Sequence, residues 1–147
     1  MFKHILVPTD GSQLSRDAAN RAVVFAKSVG ARITAFYAKQ PYHEPYYGEY
    51  IAVDLPPPSY FEELAEKEAQ EILGFVENIC QENGVDCSKL TVTSDNIYLD
   101  IIAAATRNDC DLIFMASHGR HGFSALLLGS VTNKVLTHTK IPVLVYR

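Results

Sequence analysis

Residues 115–134 read Met-Ala-Ser-His-Gly-Arg-His-Gly-Phe-Ser-Ala-Leu-Leu-Leu-Gly-Ser-Val-Thr-Asn-Lys, and the reading of the chain turns on them. They leave an apolar run, Asp111 to Met115, of the kind a buried strand shows. They then pass Gly119, Gly122 and Gly129 and enter an amphipathic helix with Ser130 and Val131 in its first turn. Strand, glycine-rich loop and helix start follow in that order. Glycine lets backbone N–H groups approach a ligand with no Cβ in the way, and a helix N-terminus presents unpaired N–H donors carrying about half a positive charge. Such a place suits a phosphate. Glycines also serve tight turns with no ligand at all, so the loop alone leaves both readings open.

The charge pattern favours the first. No Asp or Glu follows Asp111, whereas Arg120, Lys134, Lys140 and Arg147 do. The tail from Leu112 is therefore formally +4, and since the whole chain is −4, the part before it is −8. A local cationic field in an acidic protein fits a small anion and fits poorly with nucleic acid, which needs a broad basic face.

The chain has 147 residues, enough for one domain over 1–147 and too few for two ordinary ones. With 48% apolar and 20% charged residues it falls in the soluble globular class. The N-terminal apolar run is broken at Pro8, far short of a signal peptide, and no run approaches the roughly 20 apolar residues of a membrane span. Cys80, Cys87 and Cys110 are odd in number and form no Cys-x-x-Cys pair, which points to a reducing cytoplasm and to thiols as packing rather than metal ligands.

Outward from the key loop, periodicity assigns the remaining elements. Ile5 to Val7 is a short continuous apolar run ending at Pro8-Thr9-Asp10-Gly11-Ser12, as in a strand buried on both faces. Ala18, Ala22, Phe25, Ala26 and Val29 recur at helical spacing up to Gly30, a residue suited to the position beyond a helix end. Arg32 to Ala38 is rich in β-branched and aromatic residues and reads as a second strand. From Gln40 to Pro58 the pattern dissolves among prolines and tyrosines, including Tyr42, Tyr46, Tyr47 and Tyr50; the segment fits a cover over a ligand or partner, or a surface insertion. Ser59 and Glu62 form a capping box for a long helix whose apolar face runs from Phe61 through Ile72 and Val76 to Ile79, with an acidic face that reads as solvation. Lys89 to Thr93 is a third strand, Asp95-Asn96 starts a helix containing Ile101 and Ala104, Leu112 to Met115 is a fourth strand, a helix spans about Gly129 to Thr139 with Val131 and Val135 inward, and Pro142 to Tyr146 is the last strand.

Strict alternation of strand and helix implies an α/β fold: an open, parallel five-stranded sheet with helices on both faces, because crossovers are right-handed. With strand order 3-2-1-4-5, the connections leaving strands 1 and 4 diverge and open a crevice at the strands' carboxyl ends. Its borders are Pro8 to Ser12 and Ala116 to Gly129, the two most unusual loops in the sequence. A nucleotide matches that division, with phosphates on the Gly129-Ser130-Val131 amides and base or ribose near Asp10. Asp10 fits a helix N-cap equally well.

Pro-Thr-Asp-Gly-Ser after the first strand, Ser-His-Gly, Leu-Leu-Gly-Ser-Val and Pro-Val-Leu-Val resemble the universal stress protein family over nearly the whole chain. The nucleotide-binding members carry Gly-x2-Gly-x9-Gly-Ser/Thr, and here Gly119, Gly129 and Ser130 match while Ala116 replaces the first glycine. The resemblance implies a Rossmann-like fold of the adenine nucleotide alpha hydrolase-like type, ATP or AMP as ligand, and a divalent ion such as Mg2+ bridging phosphates where ATP is bound. It implies Gly119, Gly129, Ser130 and Val131 at the phosphates and Asp10 and Ala38 near the adenosine. Their neighbours Pro8, Thr9, Met115, Ala116, His118, Arg120 and Gly122 complete the candidate set. An alanine at 116 is compatible with this only if its φ is negative. The family also has members that do not bind ATP, so an interaction module with an empty crevice stays open.

No Gly-x-x-x-x-Gly-Lys-Ser/Thr and no Gly-x-Ser-x-Gly occurs, which argues against a P-loop ATPase and a hydrolase elbow. Ser117-His118 lacks a third orienting group in the sequence, and His118 and His121 have no partner at zinc spacing. Any nucleotide hydrolysis is therefore expected to be slow, and the resemblance implies a stress-linked sensor or regulator rather than a fast enzyme. In the proposed order Pro142 to Tyr146 is a sheet edge, where an apolar strand invites pairing; a homodimer is expected there, and the resemblance implies the same.

Overall fold

The computed structural model describes residues 1–44, 54–120 and 127–147. Its elements are β1 (His4–Pro8), α1 (Gln13–Val29), β2 (Arg32–Lys39), α2 (Pro58–Asn83), β3 (Cys87–Thr93), α3 (Ile97–Arg107), β4 (Leu112–Ala116), α4 (Ser130–His138) and β5 (Val143–Tyr146). The strands form one sheet in the order β3-β2-β1-β4-β5, with every neighbouring pair parallel. The fold is thus the expected α/β sheet with its reversal of direction between β1 and β4.

Side chains alternate between two cores. Ile5, Val7, Ile33, Ala35, Leu112, Phe114 and Ala116 pack on the α1–α2 face, and Leu6, Phe36, Ile113 and Met115 pack on the α3–α4 face. Because both faces are covered, β1 and β4 are buried along their whole length, which is why they read as unbroken apolar runs rather than as alternation. Among the described residues no helix is long and apolar enough to cross a membrane.

Helix ends show where local signals hold and where they yield. Gly30 and Gly84 close α1 and α2 in the left-handed conformation. The Ser59–Glu62 capping box does not form: α2 begins at Pro58, the N-cap is Pro57, and no side chain caps it. Proline has no N–H to satisfy and its fixed φ suits the first helical position, so Pro57-Pro58 moves the start upstream of Ser59. At α3 the boundary falls at Asn96 as expected, but Asn96 makes no side-chain cap; Ser94 Oγ instead accepts the Asn96 N–H at 2.8 Å and donates to the Asp100 carboxylate. Residue 131 is only partly inward, since Thr132 and Val135 are the buried positions of α4. Tyr42, within the Pro/Tyr segment, stacks on Phe61 at 4.6 Å between ring centres; Tyr46, Tyr47 and Tyr50 lie outside the described residues.

Candidate functional site

The chain leaves β1 through a tight loop held by its own hydroxyls. Gly11 has a φ of +77°, and Ser12 caps α1 by accepting the Ser15 N–H at 3.3 Å. Asp10 is therefore not the cap. Its Oδ1 accepts from Ser12 N and from Ser15 Oγ, each at 2.9 Å, and its Oδ2 accepts the main-chain N–H of Arg120 at 2.8 Å. The carboxylate ties the loop after β1 to the loop after β4. Burial pushes its pKa up, but the bonds from Ser12, Arg120 and Ser15 together outweigh this and hold it below the usual carboxylate value.

The loop after β4 closes on itself. Gly129 N–H donates to the Ser117 carbonyl at 2.7 Å, and Thr132 Oγ1 donates to the Ala116 carbonyl at 2.9 Å, so α4 is pinned against the end of β4. The two motif glycines are explained by close approach. A Cβ on Gly119 would lie 2.1 Å from Asp10 Oδ2, and one on Gly129 would lie 3.0 Å from His118 Cα. Gly129's N–H being used, the donors at the start of α4 with no acceptor among the described residues are those of Ser130, Val131 and Thr132, a shift of one residue from the sequence expectation.

These two loops, the end of β2 and α2 enclose a cleft of about 450 Å³. Pro8, Thr9, Asp10, Ala38, Met115, Ala116, His118, Gly119, Arg120, Gly129, Ser130 and Val131 all line it; Gly122 lies outside the described residues. Ala116 is the last residue of β4, and Asp109 is the sole non-glycine residue of positive φ among the described residues. The negative-φ condition at 116 is therefore met, and its methyl packs in the α1–α2 core. Ser117, by contrast, is buried and does not line the cleft, although its Oγ lies 3.1 Å from His118 Nδ1. That geometry gives no exposed nucleophile.

Sequence reasoning missed several wall residues. Tyr37, Lys39 and Glu68 line the cleft, as do Ile97 and Ile101 from the other face. Burial first, then the neighbouring Glu68 charge, raises the Tyr37 phenol above its ordinary pKa. Lys39 Nζ pairs with Glu66 at 2.7 Å, and Arg120 Nη1 pairs with Glu68 at 3.0 Å. The second strand runs one residue past its expected end at Ala38, to Lys39, and nothing local in the sequence marks Lys39, Glu66 or Glu68.

The sequence profile of the universal stress protein family matches residues 1–147. A universal stress protein of Methanocaldococcus jannaschii is 34% identical over all of this chain and 83% of its own length, and one from Thermus aquaticus is 30% identical with both chains fully covered. A crystal structure of a family protein from Burkholderia pseudomallei superposes with a TM-score of 0.77 at 25% identity, covering 99% of this chain and 96% of that one. The same fold, at 22% and 17% identity, occurs in a universal stress protein solved with cAMP and in one from Archaeoglobus fulgidus solved with dAMP, with TM-scores of 0.73 and 0.68. From the profile match over the full sequence and the closeness of these relatives, the chain belongs to the universal stress protein family.

Proposed function

We propose that this chain binds an adenine nucleotide in the cleft and acts as a cytoplasmic stress-linked sensor or regulator. One observation carries the proposal: the N–H groups of Ser130, Val131 and Thr132, which have no acceptor among the described residues, belong to the lining of a cleft whose charged groups already have protein partners. Unpaired donors at a helix N-terminus favour an anion, and a phosphate supplies one. The cleft volume falls in the range of small-ligand sites. That relatives of the same fold hold cAMP and dAMP supports the choice of adenine.

In this reading the phosphate lies on the α4 amides with the Ser130 hydroxyl beside it, and Pro8, Thr9, Ala38, Met115 and Ala116 face the nucleoside. Asp10 holds the two loops together and bounds the nucleoside side. His118, Gly119, Gly129 and Arg120 shape the connection between them. A Mg2+ ion belongs only with ATP, as a bridge between its phosphates. Calorimetric titration with AMP tests the proposal: saturable heat that Gly129→Asp abolishes is expected, and no heat from the native chain contradicts it, leaving the interaction-module reading. Steady release of phosphate from ATP would instead favour the slow hydrolase.

The partner proposed is a second copy through β5. Its residues are only half-buried at the end of the strand order, and Leu136 on the neighbouring α4 is 38% exposed. An unpaired apolar edge is stabilised by pairing. Light scattering at micromolar concentration is expected to give twice the chain's mass, and a monomer would count against the interface.

A further inference from the structure

Both formal cations on the cleft wall are already bound to carboxylates of α2, Lys39 to Glu66 and Arg120 to Glu68. The charged side chains lining the cleft are Asp10, Lys39, Glu68 and Arg120, and their formal charges cancel. Counting Glu66 behind Lys39 leaves the wall negative. The sequences of residues 45–53 and 121–126, which lie outside the described residues, contain no Lys or Arg. Among the described residues, what is left to face an anion is the start of α4, equivalent to about half an elementary charge together with three amide donors.

That complement suits one phosphate group. A β- or γ-phosphate would add full negative charges that reach Lys39 or Arg120 only by also reaching Glu66 or Glu68. Exposed ion pairs of this kind are individually weak, so they do not lock the cleft shut; the carboxylates act by leaving the cations no net attraction to offer. Building on the nucleotide reading above, we infer that the cleft is matched to an adenine nucleotide bearing a single phosphate, and that Glu66 and Glu68 set its preference against polyphosphates.

The test is calorimetric titration with 5′-AMP, cyclic AMP and ATP in buffer containing a chelator, on the native chain and on the double variant Glu66→Gln/Glu68→Gln. Glutamine keeps the size and an acceptor while removing the charge, and both glutamates are about half exposed, so folding is expected to be unaffected and is checked by circular dichroism. The native chain is expected to bind at least one monophosphate about tenfold or more tighter than ATP, and the double variant to bring ATP to within about threefold while monophosphate affinity moves little. Equal native affinity for ATP and the monophosphates would overturn the preference while leaving nucleotide binding standing. A ratio unchanged in the variant would overturn the assignment to Glu66 and Glu68. Heat from none of the three would overturn the nucleotide reading itself, and this inference with it.

Discussion

On the α1–α2 side of the cleft each charged group has a protein partner, whereas on the α4 side three backbone donors have none among the described residues. The first wall is held together by Asp10, which takes bonds from Ser12, Ser15 and Arg120, and by two lysine or arginine pairs with α2. The second consists of a helix start whose cap residue, Gly129, has spent its own N–H on the Ser117 carbonyl. The difference assigns separate jobs to residues that one sequence motif lists together. Gly119 and Gly129 allow the close approaches that build the shape, and in the proposed function residues 130–132 are the ones that face an anion.

Breaking the first wall should have the largest effect. In Gly119→Ala the new methyl would collide with Asp10 Oδ2, displacing the carboxylate from Arg120 N and separating the loops. A stability loss of ~2–3 kcal/mol in urea titration and a loss of nucleotide binding are expected. Asp10→Ala leaves the Ser12 and Arg120 amides without their acceptor and should cost ~1–3 kcal/mol by the same measurement. Because the folded-state pKa of Asp10 lies below its ordinary value, the stabilisation it gives is present above the unfolded carboxylate pKa and is lost as pH falls through the folded one. The urea midpoints of native and Asp10→Asn proteins should therefore converge below pH ~4. Midpoints that stay equally far apart down to strong acid would show that the carboxylate charge is not what joins the loops.

Two smaller effects sharpen the contrast. Ala116→Gly restores the residue of the family's nucleotide binders but removes a buried methyl from the α1–α2 core and loosens a strand end. It should cost ~1 kcal/mol without improving AMP affinity. A gain of about tenfold in affinity would mean that the methyl, rather than the charge balance of the wall, limits binding. Away from the cleft all three cysteines are free thiols, Cys87 half-buried and Cys80 and Cys110 buried; hydrogen bonding with Cys80 lowers the pKa of Cys87, hydrogen bonding with Cys87 and burial raise that of Cys80, and burial lifts Cys110 to about 11. Iodoacetamide should label Cys87 first, as read by mass spectrometry.

Much of this arrangement is legible in the sequence because sheet burial on both faces writes itself as unbroken apolar runs, at Ile5–Val7 and Leu112–Met115, separated by helical spacing. Alternation and crossover handedness imply a parallel sheet covered on both faces; the order of strands, and so the meeting of the two loops, entered as a condition that the fold bears out. The capping box at Ser59 misled because two prolines upstream satisfied the helix start by a different route. Of the two roles the sequence left open to Asp10, the helix cap falls to Ser12; the bond from Arg120 that ties the loops through Asp10 was not legible, since the two are joined only by the fold. Glu66 read as part of a solvated face and Glu68 went unmarked for the same reason: their partners Lys39 and Arg120 lie on other elements, and no local pattern encodes such pairs.

The most direct measurement is an amide chemical-shift titration of the labelled protein with AMP. The account predicts the largest saturating shifts at Ser130, Val131 and Thr132, with the Gly129 amide retaining its bond to Ser117. Saturable binding that leaves those three amides unmoved, or no change at any concentration of nucleotide, would contradict it.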